Sequence, residues 1–132
     1  MGRKRKPSLT FLDTHIVCWL YEARLDLFSQ DSLAAIESGL LRVSPMVSLE
    51  LQYLFEIKRI TRPAQEILAA LAEDIGLRMN DAPFADVATR AQTLDWTRDP
   101  FDRVIVAETL VADGVLVTRD EKIRAHAPRA VW

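Results

Sequence analysis

Apolar residues follow two rhythms along this chain. Short runs with little polar interruption, Leu9-Thr10-Phe11-Leu12, Leu41-Arg42-Val43-Ser44, Leu77-Arg78-Met79, Val115-Leu116-Val117-Thr118 and Ala130-Val131-Trp132, read as β-strands. Between them apolar residues recur three or four apart, which predicts helices. The first is capped by Asp13-Thr14 and runs through His15–Tyr21; the second starts at Asp31-Ser32 and carries Leu33, Ile36 and Leu40. Ser44-Pro45 opens a third, with Pro at the first helical position, over Met46, Leu49, Tyr53, Leu54 and Ile57. A fourth starts at Thr61-Arg62-Pro63, carries Ile67, Leu68, Leu71 and Ile75, and stops at Gly76. A fifth starts at Asp81-Ala82-Pro83 and carries Phe84, Val87, Ala88 and Ala91. A sixth runs from Pro100 to Ala112, ending at Asp113-Gly114, and a short one ends at Ala127 before Pro128.

Strands alternating with helices predict an α/β sandwich around a mostly parallel sheet. The run at Val115–Thr118 is apolar on both faces, as in a parallel sheet covered on both sides. Ligands of such sheets bind beyond the carboxyl ends of the strands. Asp13 and Asp120 sit just past strand ends, and adjacency of the first and fourth strands would bring them together. The densest chemistry lies in Arg98-Asp99-Pro100-Phe101-Asp102-Arg103, which puts Asp102 in the first turn of the sixth helix. Glu50 would face the same rim from the third helix. Like charges about 4 Å apart repel by roughly 4 kcal/mol at an effective dielectric of about 20, so such a cluster calls for a cation.

A chain of 132 residues makes one domain with a real core. No apolar run approaches the ~20 residues of a membrane span. Cys18 is the single cysteine, which rules out an internal disulfide and fits a reducing, cytoplasmic setting. The net charge of −2 is uneven. Arg3, Lys4, Arg5 and Lys6 make residues 1–8 a basic tail, expected to be disordered, with phosphate contact as the alternative; without those four charges the body holds 13 basic against 19 acidic residues. So acidic a body does not have the character of a bulk electrostatic binder of nucleic acid.

Mg²⁺ or Mn²⁺ is the cation that suits an all-carboxylate set, whereas the cysteine and histidines lack zinc spacing. Such a site supports metal-assisted attack of water on a phosphodiester. Each acid also has a structural reading. Asp13 and Asp120 are N-cap candidates, and Asp99 with Pro100 is a cap and first position. Asp102 then falls where a capping box would use it. Glu50 on an apolar face has the strongest claim to chemistry, with pairing to an arginine as its alternative. His15 reads as a core or rim residue, Cys18 and Trp19 as core, and Glu108 as solvent-facing or paired. Arg103 and Arg119 either clamp phosphate or neutralise the rim.

Five stretches then fall in one order: Phe11-Leu12-Asp13-Thr14-His15 with Trp19, Ser48-Leu49-Glu50-Leu51, Arg98–Arg103, Val117-Thr118-Arg119-Asp120, and Val131-Trp132. Together they resemble the PIN-domain ribonucleases, and among them the VapC toxins of toxin–antitoxin modules, over residues 9–132. The resemblance implies a three-layer α/β/α sandwich and a Mg²⁺- or Mn²⁺-dependent endoribonuclease. It places Asp13, Glu50, Asp102 and Asp120 at the metal, with Asp99 able to share the role and Thr14 and Thr118 as nearby hydroxyls. It further implies a homodimer, an RNA substrate and a VapB-like antitoxin whose C-terminal segment places a basic side chain in the acidic site. The alternatives are a catalytically idle PIN-like scaffold that binds RNA or protein, and another phosphoryl-transfer enzyme. A receiver domain would need a lysine where the late strand ends in Thr118-Arg119-Asp120.

Overall fold

The β1 strand, Leu9–Leu12, lies at the centre of an all-parallel sheet because it pairs on both sides. On one side Thr10 lies opposite Leu41 of β2, Leu40–Val43, and on the other opposite Val115 of β4, Val115–Val117. Two-residue strands β3, Arg78–Met79, and β5, Ala130–Val131, complete the order β3-β2-β1-β4-β5. This computed structural model describes residues 8–132. The expected basic tail, apart from Ser8, lies outside the described residues.

Helices cover both faces of the sheet, as its apolar strands require. They are α1, Thr14–Tyr21; α2, Gln30–Ser38; α3, Pro45–Glu56; α4, Ala64–Ile75; α5, Phe84–Ala91; α6, Pro100–Val111; and α7, Glu121–His126. Phe11, Leu12, Ile16, Val17, Val47, Leu51, Ile105, Leu116 and Val117 form the fully buried centre of the core. Gly76 ends α4 in the left-handed conformation at φ 71°, as its place in the sequence predicts.

Three local expectations are corrected. The second helix was expected to carry Leu40, but α2 ends at Ser38 and Leu40 opens β2, its N–H donating to the Ser8 carbonyl. Gly39 permits this change of direction, since a Cβ there would lie 1.8 Å from Oγ1 of Thr10. The second correction concerns α3, whose core side is Val47 and Leu51, whereas Leu49, Tyr53 and Ile57 face outward. Phe84 of α5 is likewise exposed. Periodicity finds a helix but cannot say which of two apolar stripes meets the sheet. A single-turn 3₁₀ helix over Leu25–Leu27 was not anticipated, being too short to carry a period.

Glu108 ties α6 to the two strands on that side of the sheet. It is 3% exposed, accepting a 2.8 Å hydrogen bond from Ser44 Oγ and a 2.7 Å bond from Asn80 Nδ2. Ser44 caps α3 by accepting from the Met46 N–H, and the Asn80 N–H donates to the Val43 carbonyl. One carboxylate thus fixes the start of α3, the helix that carries Glu50. Glu108→Ala strands two polar groups and is expected to cost about 2–4 kcal/mol. Glu108→Gln, which can accept from one group and donate to the other, should cost less than about 1 kcal/mol. Urea denaturation of both variants checks this, and a loss in Glu108→Gln as large as that in Glu108→Ala would show that an amide cannot replace the carboxylate's two acceptors.

Candidate active site

The β1–β4 pairing does the first piece of assembly. Asp13 directly follows β1 and donates its N–H to the Val117 carbonyl at the end of β4. Asp13 is the N-cap of α1, its Oδ1 accepting from the Thr14 N–H at 2.8 Å, while its Oδ2 accepts from the Thr118 hydroxyl at 2.7 Å. That hydroxyl in turn accepts the Asp120 N–H at 3.1 Å. The Thr14 hydroxyl donates a short hydrogen bond to Glu50 Oε1, so one threonine holds Asp13 through its backbone and Glu50 through its side chain.

Two further acids arrive from α6. Asp99 is its N-cap, with Oδ1 accepting from the N–H groups of Phe101 and Asp102. The reciprocal half of a capping box is not made, because the Asp99 N–H is already taken by Thr97 Oγ1 at 3.2 Å. Asp102 is therefore not needed as a cap and lines the cavity instead. Asp120 caps α7 through the Ile123 N–H and also lines the cavity. The result is a cleft of about 430 Å³ lined by Asp13, Glu50, Asp99, Asp102 and Asp120, together with His15, Trp19 and Arg119.

Burial and mutual repulsion leave clear marks on these carboxyls. Asp102 is pushed up to about 7, first by desolvation and then by the charges of Asp99, Asp13, Asp120 and Glu50. Burial also raises Asp13, against the lowering effect of the Thr118 hydroxyl and the Thr14 N–H. Glu50 is raised chiefly by burial, with the Thr14 hydroxyl opposing and Asp13 and Asp99 adding repulsion.

The PIN domain family pattern matches residues 10–127. This chain belongs to the PIN-domain family. Over 131 residues it is 31% identical to Ribonuclease VapC22 of Mycobacterium tuberculosis, covering 95% of this chain and 99% of that protein. The fold is shared with VapBC2 from Rickettsia felis bound to a DNA fragment from their promoter, at a TM-score of 0.65, 17% identity and coverage of 93% of this chain and 96% of that one. It is also shared with a toxin–antitoxin complex from Klebsiella pneumoniae, at a TM-score of 0.63, 18% identity and coverage of 93% and 96%.

Within this PIN domain all five acids singled out in the sequence meet on one cleft. Thr14 and Thr118 are buried and each donates to one of those acids. Arg103 is not among the lining residues; its Nε donates to the Thr97 carbonyl at 2.7 Å and so steadies the loop before Asp99. Arg119 does line the cleft. Trp19, expected in the core, is half-buried and borders the cleft with the exposed His15. The signal for that pair was their four-residue spacing on one face of the helix that Asp13 caps.

The donor set fits a hard divalent cation: carboxylate oxygens, buried hydroxyls behind them, and no thiolate. Among the described residues no three His, Cys, Asp or Glu side chains already converge on one point. Such ions take one or two carboxylates directly and keep several waters, so a cleft with spaced acids suits them. Without a cation the raised Asp102 carboxyl makes the folded PIN domain bind more protons than the unfolded chain. Its contribution to stability is full below about 3.8 and is lost as pH rises through about 7. The melting temperature of the metal-free protein should fall over that window, and Asp102→Asn should flatten the fall. A profile that Asp102→Asn leaves unchanged would show that Asp102 does not carry it.

Proposed function

We propose that this chain is a Mg²⁺- or Mn²⁺-dependent endoribonuclease, the toxin of a VapBC-type toxin–antitoxin pair, and hydrolyses RNA phosphodiester bonds. The observation that carries the reading is five carboxylates on one cleft, two of them held by threonine hydroxyls. Asp13, Glu50, Asp102 and Asp120 are the residues that would hold the ion, and Asp99 caps α6 and adds charge beside it. A bound Mg²⁺ or Mn²⁺ supplies Lewis acidity, making a water nucleophilic near neutral pH and offsetting charge on the leaving oxygen. The protein's share is to fix the carboxylates before substrate arrives. Thr118 and Thr14 perform this by fixing the orientations of Asp13 and Glu50. The relative named a ribonuclease supports the choice of RNA, and the solved VapBC and toxin–antitoxin complexes support an antitoxin partner. A basic antitoxin side chain suits the acidic cleft. We assign residues 9–132 to this one nuclease domain and place it in the cytoplasm. Among the described residues no helix is long and apolar enough to cross a membrane.

The idle-scaffold alternative draws on one observation, that among the described residues no three His, Cys, Asp or Glu side chains already converge on one point. Cleavage of RNA separates the two. The native chain should cut RNA only with Mg²⁺ or Mn²⁺ and arrest growth when expressed. Asp13→Asn and Glu50→Gln should abolish both while remaining folded. Thr118→Val should lower activity by about 10- to 100-fold, the usual loss when a group orienting a metal ligand is removed. A native chain that cuts no RNA under any metal supports the scaffold.

The same proposal includes a homodimer. Leu49, Tyr53 and Ile57 form an exposed apolar stripe along α3, and Phe84 stands beside an apolar cleft of about 410 Å³ bordered by Met46, Leu49 and Val104. Tyr53 also packs against Phe101, next to Asp102, with ring centroids 6.0 Å apart. Exposed apolar area of this kind marks an interaction surface. Light scattering should show a dimer that Leu49→Glu with Phe84→Glu converts to a folded monomer; a native monomer at high concentration would refute this part.

A further inference from the structure

We infer that Arg119, which lies beside the rings of Trp19 and Trp132, binds a phosphate of the RNA strand in the acidic cleft. This rests on reading the cleft as an RNA-cleaving site, and adds the element that receives the anion. Arg119 lies among five carboxylates, where an arginine would ordinarily form an ion pair. It forms none. Among the described residues the ion pairs are Arg24–Asp26, Arg62–Glu66 and Arg129–Asp113, and the Arg119 guanidinium donates no hydrogen bond. Its carbon instead lies 6.0 Å from the centroid of Trp19 and 6.0 Å from that of Trp132. Those rings sit edge to face at 5.9 Å, and Phe28 packs against both at 6.0 and 5.7 Å.

The arrangement has a clear physical content. Two indole rings lie within reach of the guanidinium, and an indole face attracts such a cation. Among the described residues its five N–H donors make no hydrogen bond and are unspent. A planar fork with free donors at the edge of a cleft is the form that takes phosphate through two bonds. The cleft then has carboxylates suited to a cation and, on its border, a guanidinium suited to an anion. The guanidinium offsets part of the repulsion that the carboxylates exert on a phosphate strand.

Binding of a short single-stranded RNA of mixed sequence to the Glu50→Gln protein, followed by fluorescence anisotropy over a salt series at constant Mg²⁺, tests this. Adding Arg119→Ala should weaken binding by about tenfold, the effect of one lost charge-assisted contact. It should also lower the slope of log affinity against log salt by about 0.7, the share of one phosphate on a single strand. Arg119→Lys keeps the charge, so it should keep the slope while recovering only part of the affinity. An unchanged slope in Arg119→Ala, with RNA still bound, overturns the phosphate contact and leaves the nuclease reading intact. If Glu50→Gln binds no RNA and the native chain cuts none, both readings fall.

Discussion

Asp13 and Thr118 are separated by 105 positions and share a 2.7 Å hydrogen bond. Nearly everything in the cleft depends on the contact that allows this, the parallel pairing of β1 with β4. That pairing sets Asp13 beside the end of β4, and Thr118 then orients one carboxylate and fixes the backbone that leads to Asp120. Several acids in one place would normally push the structure apart. Three of them, Asp13, Asp99 and Asp120, also accept N–H groups at the start of a helix, where negative charge is favoured. Capping does not compete with a place in the cleft, since the same carboxylates cap the helices and line it.

The opposite holds on α3, where neighbouring residues have separate duties. Val47 and Leu51 enter the core, Leu49 and Tyr53 face outward, and Glu50 lies half-buried at the cleft. A helix with three destinations for its side chains has no single apolar face. Its placement is set at its N-terminus, where Ser44 caps it and Glu108 of α6 holds Ser44.

Much of this was legible in the sequence. Runs such as Val115–Thr118 marked the strands, and the acids following Leu12 and Thr118 marked the functional end of the sheet. Cap signals at Ser44-Pro45 and Asp99-Pro100 located helix starts to the residue. What escaped depended on contacts between distant segments. The boundary at Gly39 follows from its closeness to Thr10 on another strand. The burial of Glu108 needs Ser44 and Asn80, which are 64 and 28 positions away. The role of Arg103 as a brace for the Thr97 carbonyl, rather than as part of the cleft, depends on a loop with no periodic signal.

The separation of Asp13 from Thr118 also bears on synthesis. Ribosomes deliver a chain from its N-terminus, and early segments begin to fold as they emerge. Here β1 can pair with β2 early, but the other edge of β1 must wait for β4, and contacts between such distant segments form late. Glu50 and Asp13 would then stand in a half-built sheet without Thr118, Arg119 or Asp120. A polypeptide interrupted at any point before β4 holds only part of the cleft. The topology thus delays assembly of the complete acidic centre until nearly the whole chain has been made.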